Sequence, residues 1–291
     1  MQRSPGTLAL AVALAASSIL HAAPDDRVEL RFEADGALVR VLSLDALRAA
    51  CPTERVDVDD PYYERPMSFH AVALACALEA GFGRPIAAAA REDFTLRARD
   101  GYERPATGAQ LGEPGAWLAF ADAHLTSLEA NPLVPRFAPI TRRALDPAPF
   151  YLVWSGEGQN DPHAHPWPFQ LAAIEQVPFE RRHPHTVPTG EPAGSPARRG
   201  YALFRSQCIT CHAINGEGGT VGPELNVPRS IVEYRPVEQI KAYVRDPLSF
   251  RYTAMPANPS LGDDDLDALV AYFRAMSTRK HDSRARDAAA D

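Results

Sequence analysis

Cys208, Cys211 and His212 stand in the string CITCH, two cysteines separated by two residues with a histidine directly after the second. Three chemistries use a CxxC pair. Two thiols at this spacing can add across the vinyl groups of a haem while the adjacent histidine coordinates the iron. Zinc uses such a pair as half of a four-ligand site and needs a second pair. The chain has four cysteines, and the other two, Cys51 and Cys76, form no second CxxC. A thioredoxin-like disulfide places its CxxC at a helix N-terminus inside a βαβ unit. Here a helical stretch, SPARRGYALFRSQC, runs into the motif instead. Spacing and context therefore favour one covalent haem c on Cys208 and Cys211, with His212 as the first axial ligand.

The second ligand must come from elsewhere, and a methionine thioether is a common partner that raises the reduction potential. Of the four methionines, Met1 begins the chain, Met67 lies far upstream and Met276 ends a helical run. Met255 sits in YTAMPANP, a proline-bounded loop suited to a fixed ligand, and is the expected choice. Filling both axial positions suits electron transfer, whereas oxygen or peroxide chemistry needs an open one.

Two HxH pairs form another candidate set: His163 and His165 in NDPHAHPWPF, and His183 and His185 in ERRHPHT. Imidazoles at this density can bind copper or zinc. They are equally consistent with polar residues of proline-rich loops.

The first residues, MQRSPGTLALAVALAASSILHAAPDD, combine Arg3, an apolar run from Leu8 to Leu20 and small residues ending near Ala22 and Ala23. This is the pattern of a cleaved secretory signal over residues 1–23. The alternative, a retained anchor, is opposed by the shortness of the run, since a span takes about 20 residues. Export implies a periplasmic protein, soluble or membrane-peripheral. In that compartment Cys51 and Cys76 are either a disulfide or two buried thiols. The net charge of -7 argues against a nucleic-acid partner.

These residues need elements to hold them. Val28, Leu30 and Phe32 alternate with polar residues, and Asp35-Gly36 supplies a hairpin turn. Ser43 caps a short helix, LDALRAA, that Pro52 ends. SFHAVALACALEAGFG reads as a helix from Ser68, stopped by Gly81. DFTLRARDGY, AWLAFA, PFYLVW and PFQLAAIEQV read as strands, and the mixture predicts an α+β unit over 24–185. From Val177 the chain turns proline-rich and aperiodic, with a semi-rigid linker over 186–195. Three helices follow: SPARRGYALFRSQC, PVEQIKAYVRD and DDDLDALVAYFRAM. They predict an all-α unit over 196–279 and a frayed tail over 280–291.

Residues 196–279 resemble a class I cytochrome c domain. GYALFRSQCITCH is similar to that family's first helix and haem motif, TAMP to its ligand loop and LVAYF to its last helix. GPELN is similar to the loop whose proline, here Pro223, packs near the proximal histidine. The resemblance implies that the first and last helices cross through Gly200 and Phe204 against Leu269 and Tyr272. Residues 24–185 resemble, in the order of their elements, the sulfite-oxidase-type molybdopterin domain. Neither Cys51 in AACPTE nor Cys76 in LACAL matches that family's metal-ligating context, and its phosphate-gripping basic residues have no counterpart. The expectation is the fold without molybdopterin. The chain then reads as an electron carrier serving a redox donor or acceptor protein. Its rivals are a molybdenum-dependent oxidoreductase that feeds its own haem and a haem sensor or peroxidase.

Overall fold

The computed structural model describes residues 28–130, 133–140, 144–253 and 255–282. The segment 1–23 expected to be a signal and the chain beyond residue 282 lie outside the described residues. No helix among those described is long and apolar enough to cross a membrane.

The N-terminal region is sheet-rich. Strands β1 (Glu29–Ala34) and β2 (Ala37–Ser43) form the expected hairpin, with Asp35 and Gly36 at positive φ in its turn. Helix α1 (Leu44–Ala50) starts where the Ser43 hydroxyl accepts from the Ala46 amide at 3.2 Å. β3 (Thr53–Asp60), β4 (Arg65–Ala73), α2 (Leu74–Phe82), β5 (Asp93–Ala98), β6 (Glu103–Thr107), α3 (Gly108–Leu111), β7 (Ala116–Asp122), β8 (Tyr151–Trp154) and β9 (Leu171–Gln176) follow. They build a five-stranded sheet ordered β2-β1-β9-β5-β6 and a four-stranded sheet ordered β3-β4-β7-β8. Phe32, Phe69, Phe120, Tyr151 and Trp154 fill the core between elements. Cys51, at the end of α1, and Cys76, in α2, are disulfide-bonded with Cα atoms 5.9 Å apart.

The helix expected from Ser68 is corrected. Residues 68–73 are the second half of β4, and α2 begins only at Leu74. Met67, Ser68, Phe69, Ala71 and Val72 are all buried, so both faces of β4 are covered and the alternation that marks a half-exposed strand is erased. The helix stops at Gly83, which adopts the left-handed conformation at φ 72°, and not at Gly81. Gly81 instead allows close packing, because a Cβ there would sit 2.2 Å from the Phe32 ring.

The C-terminal region is mainly helical. A short α4 (Phe179–Arg182) precedes α5 (Pro196–Leu203), with Ser195 as N-cap and Pro196 in the first turn. The expected single helix 195–208 instead widens into a π turn over Phe204–Cys208, closed by the Ile209 amide on the Phe204 carbonyl at 2.9 Å. A two-residue hairpin, β10 (Ala213–Ile214) with β11 (Glu217–Gly218), follows the CxxCH motif, so the unit is not purely α. α6 (Ile231–Tyr234), α7 (Val237–Arg245) and α8 (Asp263–Ser277) complete it. α5 crosses α8 at Gly200, where a Cβ would meet the Ala268 carbonyl oxygen at 1.9 Å. Phe204 packs on Tyr272 with ring centroids 5.4 Å apart.

The proline-rich stretch after Val177 is laid onto this helical core. Phe179 is buried beside Tyr201, and the fully buried Thr186 accepts the Tyr272 hydroxyl on its carbonyl at 2.7 Å. Arg279 donates to the Thr189 carbonyl at 2.8 Å. Lys280 pairs with Glu233 at 2.7 Å, and the His281 ring stacks on His185 at 3.6 Å. Single anchoring residues hold these segments, which is why they carry no apolar period.

Candidate haem centre

The π turn delivers Cys208 directly into the CxxCH loop. The amides of Cys211 and His212 both donate to the Cys208 carbonyl, at 3.1 and 2.9 Å, which curls the motif, and all three residues line one cavity. His212 Nδ1 lies 2.9 Å from the Pro223 carbonyl oxygen. A carbonyl can only accept, so Nδ1 carries the proton and Nε2 keeps its lone pair for a metal. Burial lowers the His212 pKa and favours that neutral ring. Gly222 seats the imidazole: a Cβ there would lie 2.4 to 2.8 Å from Cε1, Nδ1 and Nε2. Pro223 therefore holds the ring by its carbonyl, and Gly222 by having no side chain. Burial, with Cys211 beside it, pushes the Cys208 thiol up to about 12. It stays a thiol at neutral pH, the form that addition to a vinyl group uses.

Met255 lines the same cavity from the loop between α7 and α8. Its amide donates to Thr253 Oγ1 at 3.1 Å. Asn258 Nδ2 ties the loop to α7 through the Val244 carbonyl at 3.2 Å. The other described methionines are elsewhere: Met276 is buried in the α8 core and Met67 in the N-terminal core. α7 contributes Ile240 and Val244 to the wall, and α8 contributes Leu269 and Phe273.

The cavity holds about 1130 Å³. Small-molecule sites take about 300–1,000 Å³. Two thiols, a neutral imidazole with a free Nε2, a thioether and apolar helix faces around such a space fit a haem.

The family model for cytochrome c oxidase, cbb3-type, subunit III, matches residues 195–273. Residues 195–273 are a cytochrome c domain. A cytochrome c domain binds haem and transfers electrons with a redox partner. The chain is also 32% identical over 117 residues to cytochrome c oxidase subunit 2 of Alkalihalophilus pseudofirmus. That match takes in 37% of this chain and 34% of the relative, so the chain spans about a third of the curated protein it resembles.

The cytochrome c domain does not enclose its cavity alone. Tyr62, Tyr102, Arg104, His163 and Trp167 of the N-terminal region line it too. Sequence reasoning passed over Arg104, a strand residue whose contacts lie 58 to 106 positions away.

The four histidines of the HxH pairs are not brought together. His165 Nε2 meets Glu113 at 2.9 Å, and its ring packs edge-on against Trp154. His183 is buried against Phe179, while His185 pairs with Glu217. Among the described residues no three His, Cys, Asp or Glu side chains gather as a metal site. In the N-terminal region Cys51 and Cys76 are bonded to each other, so neither offers a thiolate to a metal. The N-terminal region is built on two sheets, ordered β2-β1-β9-β5-β6 and β3-β4-β7-β8.

Proposed function

We propose that the chain is an exported, periplasmic one-electron carrier with a single covalent, His/Met-ligated haem c. The observation that carries this reading is one cavity lined by Cys208, Cys211, His212 and Met255. Cys208 and Cys211 would bind the haem through thioethers, and His212 and Met255 would be the ligands to its iron. When bound, the haem supplies an iron that alternates between two oxidation states.

The residues of the chain do the rest. The Pro223 carbonyl and Gly222 fix the plane and tautomer of His212, so the ring need not reorient when the charge changes. Thr253 and Asn258 hold the Met255 loop. Leu269, Phe273, Ile240 and Val244 exclude water, lowering the local dielectric. Export rests on the pattern of residues 1–23. The organisation supported by sequence is a signal segment, a unit over 24–185, a connecting segment over 186–195, the cytochrome c domain over 196–279 and a tail. The unit over 24–185 serves as a cofactor-free module that orients the haem toward a partner. A molybdenum site there would need a thiolate, and both available sulfurs are consumed by the disulfide.

The test is spectroelectrochemical titration of the purified full chain. A single wave with one electron per protein is expected. Met255→Ala should lose the weak red charge-transfer band of thioether ligation and lower the midpoint potential, whereas Met276→Ala should retain both. The opposite pattern would show that Met255 is not the ligand.

A further inference from the structure

Arg104 is 8% exposed, yet it belongs to the N-terminal region and lines the cavity shared with Cys208, Cys211 and His212. Its guanidinium donates to Thr210 Oγ1 at 3.2 Å, to the Pro162 carbonyl at 3.3 Å and to the His163 carbonyl at 3.1 Å. All three acceptors are neutral. Thr210 is itself 7% exposed and stands inside the CxxCH motif, immediately before Cys211. A guanidinium is charged at every accessible pH. A full positive charge is thus held out of water at the attachment loop, hydrogen-bonded to the motif by a residue 106 positions away in sequence.

A fixed charge in such a place acts on any redox centre beside it. In a medium of reduced dielectric, Coulomb interactions reach further and are weakly screened. Reduction of a haem iron lowers its charge by one. A buried cation nearby repels the oxidised state more than the reduced one and so favours reduction. Neutral acceptors satisfy the N–H groups of Arg104 without cancelling its charge.

We propose that the N-terminal region completes the haem pocket and sets its reduction potential through the buried charge of Arg104, which Thr210, Pro162 and His163 hold against the CxxCH loop. The inference rests on the haem reading above. It extends the role of the N-terminal region beyond docking, because one strand residue, in β6, makes the electron affinity of the cytochrome c domain depend on its neighbour. Three ion pairs also join the regions, Arg181 with Asp35, Arg182 with Glu103 and Arg205 with Asp93, but all are at least partly exposed and each cation has a carboxylate partner. They fasten the contact and leave little net charge at the cavity.

The experiment is a midpoint-potential titration of the haem-loaded full chain as wild type, Arg104→Gln, Arg104→Lys and Arg182→Gln. Arg104→Gln should move the midpoint to a lower potential. Arg104→Lys keeps the charge and should stay near wild type, as should Arg182→Gln, which loosens the contact without removing the buried cation. An unchanged potential in Arg104→Gln would overturn the proposal. So would an equal fall in Arg104→Lys or Arg182→Gln, since loss of packing and not loss of charge would then be responsible. Absorbance spectra of each variant confirm that His212 and Met255 ligation is retained. Failure of the wild type to hold haem would instead sink the functional reading on which the inference stands.

Discussion

Gly222→Ala tests how the proximal histidine is held. The added Cβ would lie 2.4 Å from His212 Cε1, 2.6 Å from Nδ1 and 2.8 Å from Nε2. Non-bonded carbon contacts settle at about 3.5–4.0 Å, so the ring must retreat by about 1 Å. The 2.9 Å hydrogen bond from Nδ1 to the Pro223 carbonyl does not survive such a shift. Losing it costs about 1 kcal/mol, and overpacking adds about 1–3 kcal/mol. The haem-loaded variant should therefore be less stable than wild type by about 2–4 kcal/mol in urea unfolding followed at the Soret band. Its spectrum should also show a disturbed low-spin state, because Nε2 moves with the ring. A variant with a wild-type spectrum and a stability within about 0.5 kcal/mol of wild type would refute the reasoning.

Three further outcomes follow from the structure. Gly200→Ala places a Cβ 1.9 Å from the Ala268 carbonyl oxygen, so α5 and α8 must separate; a loss of at least about 1–3 kcal/mol is expected in the same unfolding assay. Removing the Cys51–Cys76 bond, which spans 25 residues, by a double alanine substitution should cost about 3–4 kcal/mol, read as a lowered urea midpoint by far-ultraviolet circular dichroism. Burial lowers the pKa of His183 to about 4, with Arg182 and Arg205 opposing protonation and Glu103 favouring it. The unfolded chain then binds the proton more tightly, so stability is full above pH 6.5 and falls as pH drops from 6.5 toward 4, by about 3 kcal/mol in all. His183→Gln should flatten that slope in urea titrations at pH 7, 6 and 5, and an unchanged slope would place the titrating group elsewhere.

The candidate site was legible wherever its signal is local. CITCH places Cys208, Cys211 and His212 by covalent spacing, and a proline-bounded loop singled out Met255. Asp35-Gly36 and Ser43 announced their turn and cap through their own backbone preferences. Readings failed where tertiary contact decides. The C-terminal part of β4 lost its alternation because residues on both its faces are buried. β3 passed unnoticed although Val56 and Val58 alternate with charged residues, because acidic side chains dominate its composition. Phe179 and Thr186 dock a stretch whose prolines signal only the lack of a helix. Arg104 had no local mark, since its importance comes from Thr210 across the fold.

The central claim is that Cys208 and Cys211 carry haem covalently. The most direct measurement is denaturing electrophoresis of the full chain, produced with haem-attachment machinery, followed by a haem-peroxidase stain and intact mass. A stained band with the mass of one haem added is expected, and no stain after Cys208→Ala with Cys211→Ala. A stained double variant, or an unstained wild type of unmodified mass, would contradict the claim.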